Sequence, residues 1–397
     1  MTTIIFSSTI GYAPQAKDDF ILEAGTVLSN HNFTAFGASG ASFAGLSLDV
    51  AGTIEDASYG ISLFNGAVEG SLIHVAATGS VSAKYAAIYL DGSGGSIVND
   101  GALAGETWGV NIIGSQNAVV NQGAITGSTG VSFQGDGNAL VNHGVISSDG
   151  SCVSVSLKAG ETFSLANDGL ITSAQYCFVA AGEGDVTVVN RGTMEGSVLL
   201  GDGADVFRNK GGVVDGAVYG DAGDDTFVID RKSIRIVEWD GEGNDTIRSS
   251  VSFTLAGNVE TGILTGRKNL SMTGTDLDDH LFGNRGDNRI FGGTGADRIA
   301  AGGGDDILTG GAKGVGADGA ADVFLFSRHS GHDRIVGFEA GIDQIDLGGY
   351  AGINSFSDLH GHIHQAGDDV VVSLSGGDKI TLIDLHRADL DRDDFIF

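Results

Sequence analysis

Apolar residues recur in a fixed phase along the first half of the chain. The pairs Ile61/Leu63, Ile88/Leu90, Val110/Ile112, Val131/Phe133, Val153/Val155 and Phe178/Ala180 alternate with period two, the geometry of a strand with both side chains on one face. Asn-x-Gly triplets recur in phase with them: Asn99-Asp100-Gly101, Asn121-Gln122-Gly123, Asn142-His143-Gly144, Asn167-Asp168-Gly169, Asn190-Arg191-Gly192 and Asn209-Lys210-Gly211. From Gly101 to Gly211 the steps are 22, 21, 25, 23 and 19 residues, with weaker copies at Gly79 and Gly52. A Gly corner follows each apolar pair (Gly92, Gly114, Gly135, Gly160, Gly182, Gly201), and an aliphatic such as Val98, Val120, Val141 or Val189 precedes the next Asn. Three short strands and three corners per step predict an all-β fold, a right-handed parallel β-helix whose stacked coils share one core. The recurrent Asn predicts an amide ladder at one corner.

Cys152 and Cys177 each lie eight residues after an Asn-x-Gly glycine, in the small-residue column of Gly60, Ala87 and Gly109. They are expected in adjacent coils about 4.8 Å apart, with side chains pointing alongside each other. Stacked buried thiols are therefore favoured over a disulfide.

From about residue 200 the corners become acidic. Gly201-Asp202-Gly203-Ala204-Asp205, Gly220-Asp221-Ala222-Gly223-Asp224-Asp225 and Gly241-Glu242-Gly243-Asn244-Asp245 place Asp at 205, 225 and 245. Then the period shortens to nine: Gly274, Gly283, Gly292, Ala301 and Gly310 mark the register, with Asp279, Asn288, Asp297 and Asp306 sixth and Leu281, Ile290, Ile299 and Leu308 eighth. Glycines such as Gly292, Gly293, Gly295, Gly302 and Gly304 let the backbone turn so that carbonyl oxygens face the loop, and Asp adds a charged oxygen. Oxygen ligands without His or Cys select Ca²⁺ over transition metals. Two nonamers make one 18-residue coil, so Asp279 is expected to stack with Asp297 and Asn288 with Asp306. Calcium ions between stacked loops would neutralise carboxylates that otherwise repel.

The nonamers GNRGDNRIF, GGTGADRIA and AGGGDDILT resemble the RTX, or haemolysin-type calcium-binding, repeat GGxGxDxUx. The stretch from GDAGDDTFVID to GNVETGILTG is similar to linkers between RTX blocks, and ADVFLFSRHSGHDRIVGFEAGIDQIDL through LDRDDFIF resembles the C-terminal domain of serralysin-type RTX proteins. The resemblance covers about residues 200–397. It implies a parallel β-roll with Ca²⁺ between turns, an uncleaved C-terminal signal for a type I secretion transporter, and folding outside the cell of a Gram-negative bacterium. Leu277, Ala301 and Asn288 stand where the pattern has Gly, Gly and Asp, so the Asp279 and Asn288 sites are expected to be weak or empty. The expected organisation is an N-terminal cap or arm over 1–45, a β-helix over 46–250, a nonapeptide β-roll over 251–320, and a small C-terminal β capping domain with the secretion signal over 321–397.

Composition agrees. Gly is 66 of 397 residues and Pro only one, so corners are common while slow prolyl isomerisation is nearly absent. The 51 acidic against 21 basic residues give a formal −30, which argues against nucleic acid and for bound cations. No apolar run is long enough for a membrane span, and the first twenty residues lack the basic and apolar regions of a Sec signal peptide.

Enzymatic motifs are missing from the sequence. There is no HExxH, no G-x-S-x-G and no P-loop, and with Pro14 the sole proline the Asp-Pro-His-Glu signature of RTX mannuronan epimerases does not occur. Residues 1–200 hold only Lys17, Lys84, Lys158 and Arg191 as permanent cations, too scattered to neutralise a uronate substrate. His360, His362 and His364 alternate and would share one face of a strand, but the resemblance places an ordinary surface strand there; His329 and His332 are expected to face solvent. The sequence therefore points to a secreted calcium-binding β-solenoid with a structural, adhesive or cell-surface role. The alternative is a carbohydrate-active β-helix acting on an extracellular polysaccharide, which a groove lined with carboxylates and Tyr or Trp would favour.

Overall fold

The computed structural model describes residues 3–6, 19–29, 34–39, 44–65, 68–314 and 316–397. The chain divides into two compact units: Met1–Gly223 with Ser233–Ile236, and Asp224–Lys232 with Val237–Phe397.

The first unit is a parallel β-helix. One coil consists of Ser96–Asn99, Ala102–Gly105 and Trp108–Ile113, and the next of Ala118–Asn121, Ala124–Gly127 and Thr129–Gln134. Each strand pairs in parallel and in register with its counterparts, so equal positions stack: Ile97 on Val119 on Leu140, and Leu103 on Ile125 on Ile146. These residues, like Val110, Ile112, Val131 and Phe133, are at most 1 % exposed and make one continuous core. The alternation is forced because successive side chains point to opposite faces, and only the inward set leaves water. Elsewhere the second and third strands run on as one bent strand, as in Leu170–Ala181.

Gly114 shows why the corner residue is glycine. Its φ is +127°, and a Cβ there would overlap the Gly92 carbonyl oxygen of the preceding coil. Upstream of residue 46, strands Asp19–Leu22 and Val27–Ser29 pair in parallel with Ser47–Val50 and Thr53–Phe64, so they already follow the coil register. Residues 1–2, 7–18, 30–33 and 40–43 of the expected arm lie outside the described residues.

The Asn ladder is continuous. Asn99 Nδ2 donates to Asn121 Oδ1, Asn121 to Asn142, and Asn142 to Asn167, each at 2.8 Å; Asn167 donates to Asn190 at 2.9 Å and Asn190 to Asn209 at 3.1 Å. All six are buried. The backbone N–H groups of Gln122 and Gly123 close the turn on the Asn99 carbonyl. Cys152 and Cys177 are buried free thiols in adjacent coils, flanked by the register pairs Ser151/Tyr176 and Val153/Phe178. Burial raises both thiol pKa values, and each Sγ donates to a neighbouring carbonyl, Cys152 to Thr172 at 2.9 Å.

The second unit is a β-roll of two parallel stacks. His280–Phe282, Arg298–Ala300, Val323–Ser327 and Gln344–Gly349 form one stack; Ser271–Thr273, Arg289–Gly293, Ile307–Gly311 and His332–Val336 form the other. The central apolar residues Leu281, Ile290, Ile299 and Leu308 are fully buried. The end of the unit turns antiparallel through Ile363–Ala366, Asp369–Ser373 and Lys379–Ile383.

One feature of this end differs from the sequence-based picture. His360 and His362 lie on a 3₁₀ turn after the short helix Phe356–Leu359, which Ser355 caps, and only His364 lies on a strand. They do not share a strand face: His362 Nδ1 meets the Ser373 carbonyl at 2.9 Å and His360 Nε2 meets Arg387 at 3.2 Å. The C-terminal Phe395–Ile396 is a strand paired in parallel with Gln344–Gly349, and Asp394 accepts the N–H groups of Gly341 and Asp391 at 2.6 and 2.7 Å.

Breaking the amide ladder in its middle tests how far it holds the coils together. Asn142→Ala leaves buried amide groups on Asn121 and Asn167 without their partner, and the expected cost is about 1–3 kcal/mol. Urea unfolding followed by circular dichroism measures it, with exposed Asp149→Ala expected to stay within about 0.5 kcal/mol of wild type.

Candidate calcium-binding columns

Each strand of the first stack in the roll is preceded by a carboxylate, and the in-register pairing assembles these residues into a column. Backbone N–H groups then bond to the side chain one coil on. Asp225 N–H donates to Asp245 Oδ1 at 2.8 Å, Asp245 N–H to Glu260 Oε2 at 2.7 Å, and Asp279 N–H to Asp297 Oδ1 at 2.8 Å. The series continues from Asp297 to Asp322 and from Asp322 to Asp343 at 2.9 and 3.1 Å. A second column runs along the other stack, from Asn288 to Asp306 at 2.7 Å and from Asp306 to Asp333 at 3.0 Å. In the first unit Asp205 Oδ1 accepts Val186 N–H at 2.6 Å.

These bonds employ only one oxygen of each carboxylate. The Oδ2 atoms of Asp245, Asp297, Asp306 and Asp333 are buried and make no hydrogen bond. Burial is the main cause that pushes the Asp205, Asp297 and Asp306 carboxyls up to about 8, Asp322 and Asp333 to about 7, and Asp245, Asp279 and Asp343 to about 6. Neighbouring acids add to it, Asp322 and Asp318 against Asp297 and Asp333 against Asp306. At Asp245, Asp297, Asp306 and Asp333 an enclosed carboxylate with one idle oxygen fits a hard divalent cation.

Two sequence positions behave differently. Asp279 Oδ2 accepts both the N–H and the hydroxyl of Thr275, at 2.5 and 3.1 Å, so its second oxygen is already engaged. Asn288 is neutral, with Oδ1 accepting Asn284 N–H at 2.8 Å and Nδ2 donating to Asn284 Oδ1 at 3.1 Å. The contrast with Asp297 and Asp306 separates open positions from closed ones within one repeat run.

The glycines shape the turns. A Cβ on Gly292 would collide with Asp297 Oδ2 and the Gly310 carbonyl, so only glycine lets the carboxylate settle there. Gly293 has φ +137° and would press a Cβ onto the Thr275 carbonyl. Gly201, Gly223, Gly241, Gly295, Gly302 and Gly304 also have positive φ. Gly203 and Gly220 are buried in their turns and Gly243 is half-buried.

Sequence spacing missed Glu238, Glu260, Asp322, Asp333 and Asp343. Asp322, Asp333 and Asp343 share the Asp-x-apolar signature of the nonamer (Asp322-Val-Phe, Asp333-Arg-Ile, Asp343-Gln-Ile), but they follow 25, 27 and 21 residues after their column partners instead of 18.

The fold and the columns together make a β-solenoid that carries calcium-binding repeats of the RTX type. Residues 273–312 match the family model of the RTX calcium-binding nonapeptide repeat, in four copies, and such repeats bind calcium. Among solved structures the chain is similar to an extracellular lipase, LipA, from Serratia marcescens, at 22 % identity and a TM-score of 0.21. The match covers 60 % of this chain and 40 % of that one. No curated protein matches the sequence. No helix among the described residues is long and apolar enough to cross a membrane.

The raised carboxyl pKa values set a pH dependence. Without calcium, the folded state keeps protons up to about pH 8 at Asp297 and Asp306, whereas the unfolded chain releases them near pH 4. The calcium-free fold is therefore most stable on the acid side and loses stability as pH rises from about 4 to about 8. Urea midpoints of calcium-depleted protein should fall steadily between pH 5 and 8, and saturating Ca²⁺ should flatten the trend.

Proposed function

We propose that the protein is exported by a type I transporter and folds on extracellular Ca²⁺ into a solenoid with a structural, adhesive or surface-associated role. The observation that carries this reading is the set of buried, unbonded Oδ2 atoms on Asp245, Asp297, Asp306 and Asp333. Ionised and without a cation they oppose folding, so a calcium-poor cytosol favours the open chain that a transporter can thread. Extracellular modules with Kd of about 10⁻⁴–10⁻³ M load at the destination. Neither slow prolyl isomerisation, with one Pro, nor a disulfide delays threading. The Asp393-Asp394-Phe395-Ile396-Phe397 end acts as signal while extended; folding then takes Phe395 into a strand, which makes export one-way. The ligands assigned to Ca²⁺ are Asp205, Asp225, Asp245, Asp297 and Asp306 with the carbonyls of their glycine turns, while Asp279 and Asn288 contribute weakly. The helix over 46–250, the roll over 251–320 and the C-terminal domain over 321–397 are the working parts of this scheme.

Circular dichroism and size-exclusion chromatography during a Ca²⁺ titration against EGTA test the scheme. A sharp loss of β signal and a smaller elution volume on EGTA treatment, reversed by Ca²⁺, are expected; identical traces with and without Ca²⁺ would reject it. Asp297→Ala combined with Asp306→Ala should move the Ca²⁺ midpoint upward by roughly tenfold or more, each lost charged ligand costing about 1 kcal/mol or more.

One observation favours the carbohydrate alternative as a second reading. Tyr59, Tyr85, Tyr89 and Phe64 pack ring to ring at 5.4–5.6 Å, and Lys84 Nζ lies 5.6 Å from the Tyr85 ring centre. Beside them runs a depression lined by Ser82, Lys84, Gly105 and Glu106 that passes on to Ser128 and Asp149. Aromatic faces with hydroxyls and carboxylates suit a sugar chain, but one lysine is too little cation for uronate lysis. Binding without turnover is the form this reading takes. Incubation with alginate and pectin should yield no unsaturated-product absorbance; its appearance would make the protein a lyase.

A further inference from the structure

We propose that Asp225, Glu238 and Asp245 form a carboxylate-only Ca²⁺ site outside the nonapeptide run, with Glu238 supplying a ligand that the turn pattern lacks. Ligand atoms of the three residues lie within 4.8 Å of one another. Opposite ligands of an ion bonded at about 2.3–2.6 Å are about 4.6–5.2 Å apart, so the trio has the span of a Ca²⁺ shell. The three are 1 %, 4 % and 1 % exposed. Independently, Asp245 Oδ2 is buried without a hydrogen bond, while its Oδ1 is held by Asp225 N–H at 2.8 Å. One buried Asp245 oxygen is therefore idle in a residue whose carboxylate gathers with two others. Three buried carboxylates gathered in one place form an all-oxygen donor set, which selects a hard cation.

The local chain explains how Glu238 arrives there. Asp225 and Asp245 are 20 residues apart, two more than the 18 between Asp279 and Asp297. The intervening segment holds the strand Arg235–Val237, directly ahead of Glu238. Asn258 Nδ2 grips the Glu238 carbonyl at 3.1 Å and fixes the backbone at that point. The longer period is thus used to bring in a third carboxylate. This site rests on the calcium reading of the columns, which supply Asp225 and Asp245, and adds Glu238 as a ligand from outside the turns.

Trp239 supplies a private reporter. It follows Glu238 in sequence, is 60 % exposed, and has its N–H on Glu242 Oε2 at 2.7 Å. The second of the two tryptophans, Trp108, serves as the control. Tb³⁺, a Ca²⁺ substitute, is titrated into the full chain folded in Ca²⁺, and its emission is excited through indole. The expected result is sensitised emission that survives Trp108→Phe, vanishes in Trp239→Phe with an unchanged circular dichroism spectrum, and shifts its midpoint roughly tenfold upward in Glu238→Gln. Asp297→Ala should leave that midpoint in place. Emission independent of Trp239, or a midpoint unmoved by Glu238→Gln, overturns the site. Should Glu238→Gln fail to fold, the Trp239→Phe comparison alone decides. Calcium-independent folding together with Trp239-sensitised Tb³⁺ emission would reject the wider calcium scheme and keep this site; the reverse pattern would reject this site alone.

Discussion

A buried carboxylate with one satisfied oxygen and one idle oxygen, recurring at Asp245, Asp297, Asp306 and Asp333, is the constraint on which the roll depends. Parallel strands bring equal positions to about 4.8 Å, and two charges at that spacing repel by about 3 kcal/mol even at an effective dielectric of about 20. The in-register pairing that packs Leu281 on Ile299 also stacks Asp279 on Asp297. Core and charge cannot be separated, because one register produces both. Proton or cation must therefore accompany folding, and at neutral pH the cation is the more effective partner.

The two units apply the same device with different chemistry. In the first, Asn99 through Asn209 stack at a corner, and each amide from Asn121 to Asn190 both donates to one neighbour and accepts from the other. In the second, Asp takes the corresponding structural task and anchors the N–H of the coil before it, but an ionised carboxylate has no donor. An amide ladder is self-sufficient; a carboxylate ladder needs something outside the chain. Amide and carboxylate ladders thus differ in whether the chain alone can complete them. The neutral Asn288, bonded to Asn284, shows the self-sufficient chemistry within the acidic run itself.

Calcium dependence also suits a chain of formal charge −30. In the proposed scheme, self-repulsion would keep such a chain expanded where cations are scarce, and binding free energy would become folding free energy where they are plentiful. The tail belongs to the same balance, since Asp394 and Phe395 are held by Gly341 and Ile345 only once the last coils have formed.

The sequence alone determined the periodic parts. Regular steps of Asn-x-Gly, apolar-x-apolar pairs and nine-residue glycine turns dictate coils, core columns and the stacking of Asp279 with Asp297, because identical neighbours in a solenoid need no distant information. It also placed Cys152 and Cys177 side by side from their shared phase. Tertiary structure decided what breaks the period. Asp322, Asp333 and Asp343 join the columns after insertions that hide their register, and Glu238 enters the Asp225–Asp245 space through a detour of the chain. Likewise His360 and His362 leave the strand for a capped turn. Strand pairing is blind to how many residues a loop spends between coils, so a ligand that arrives late in sequence still lands in line, and only the folded register reveals it.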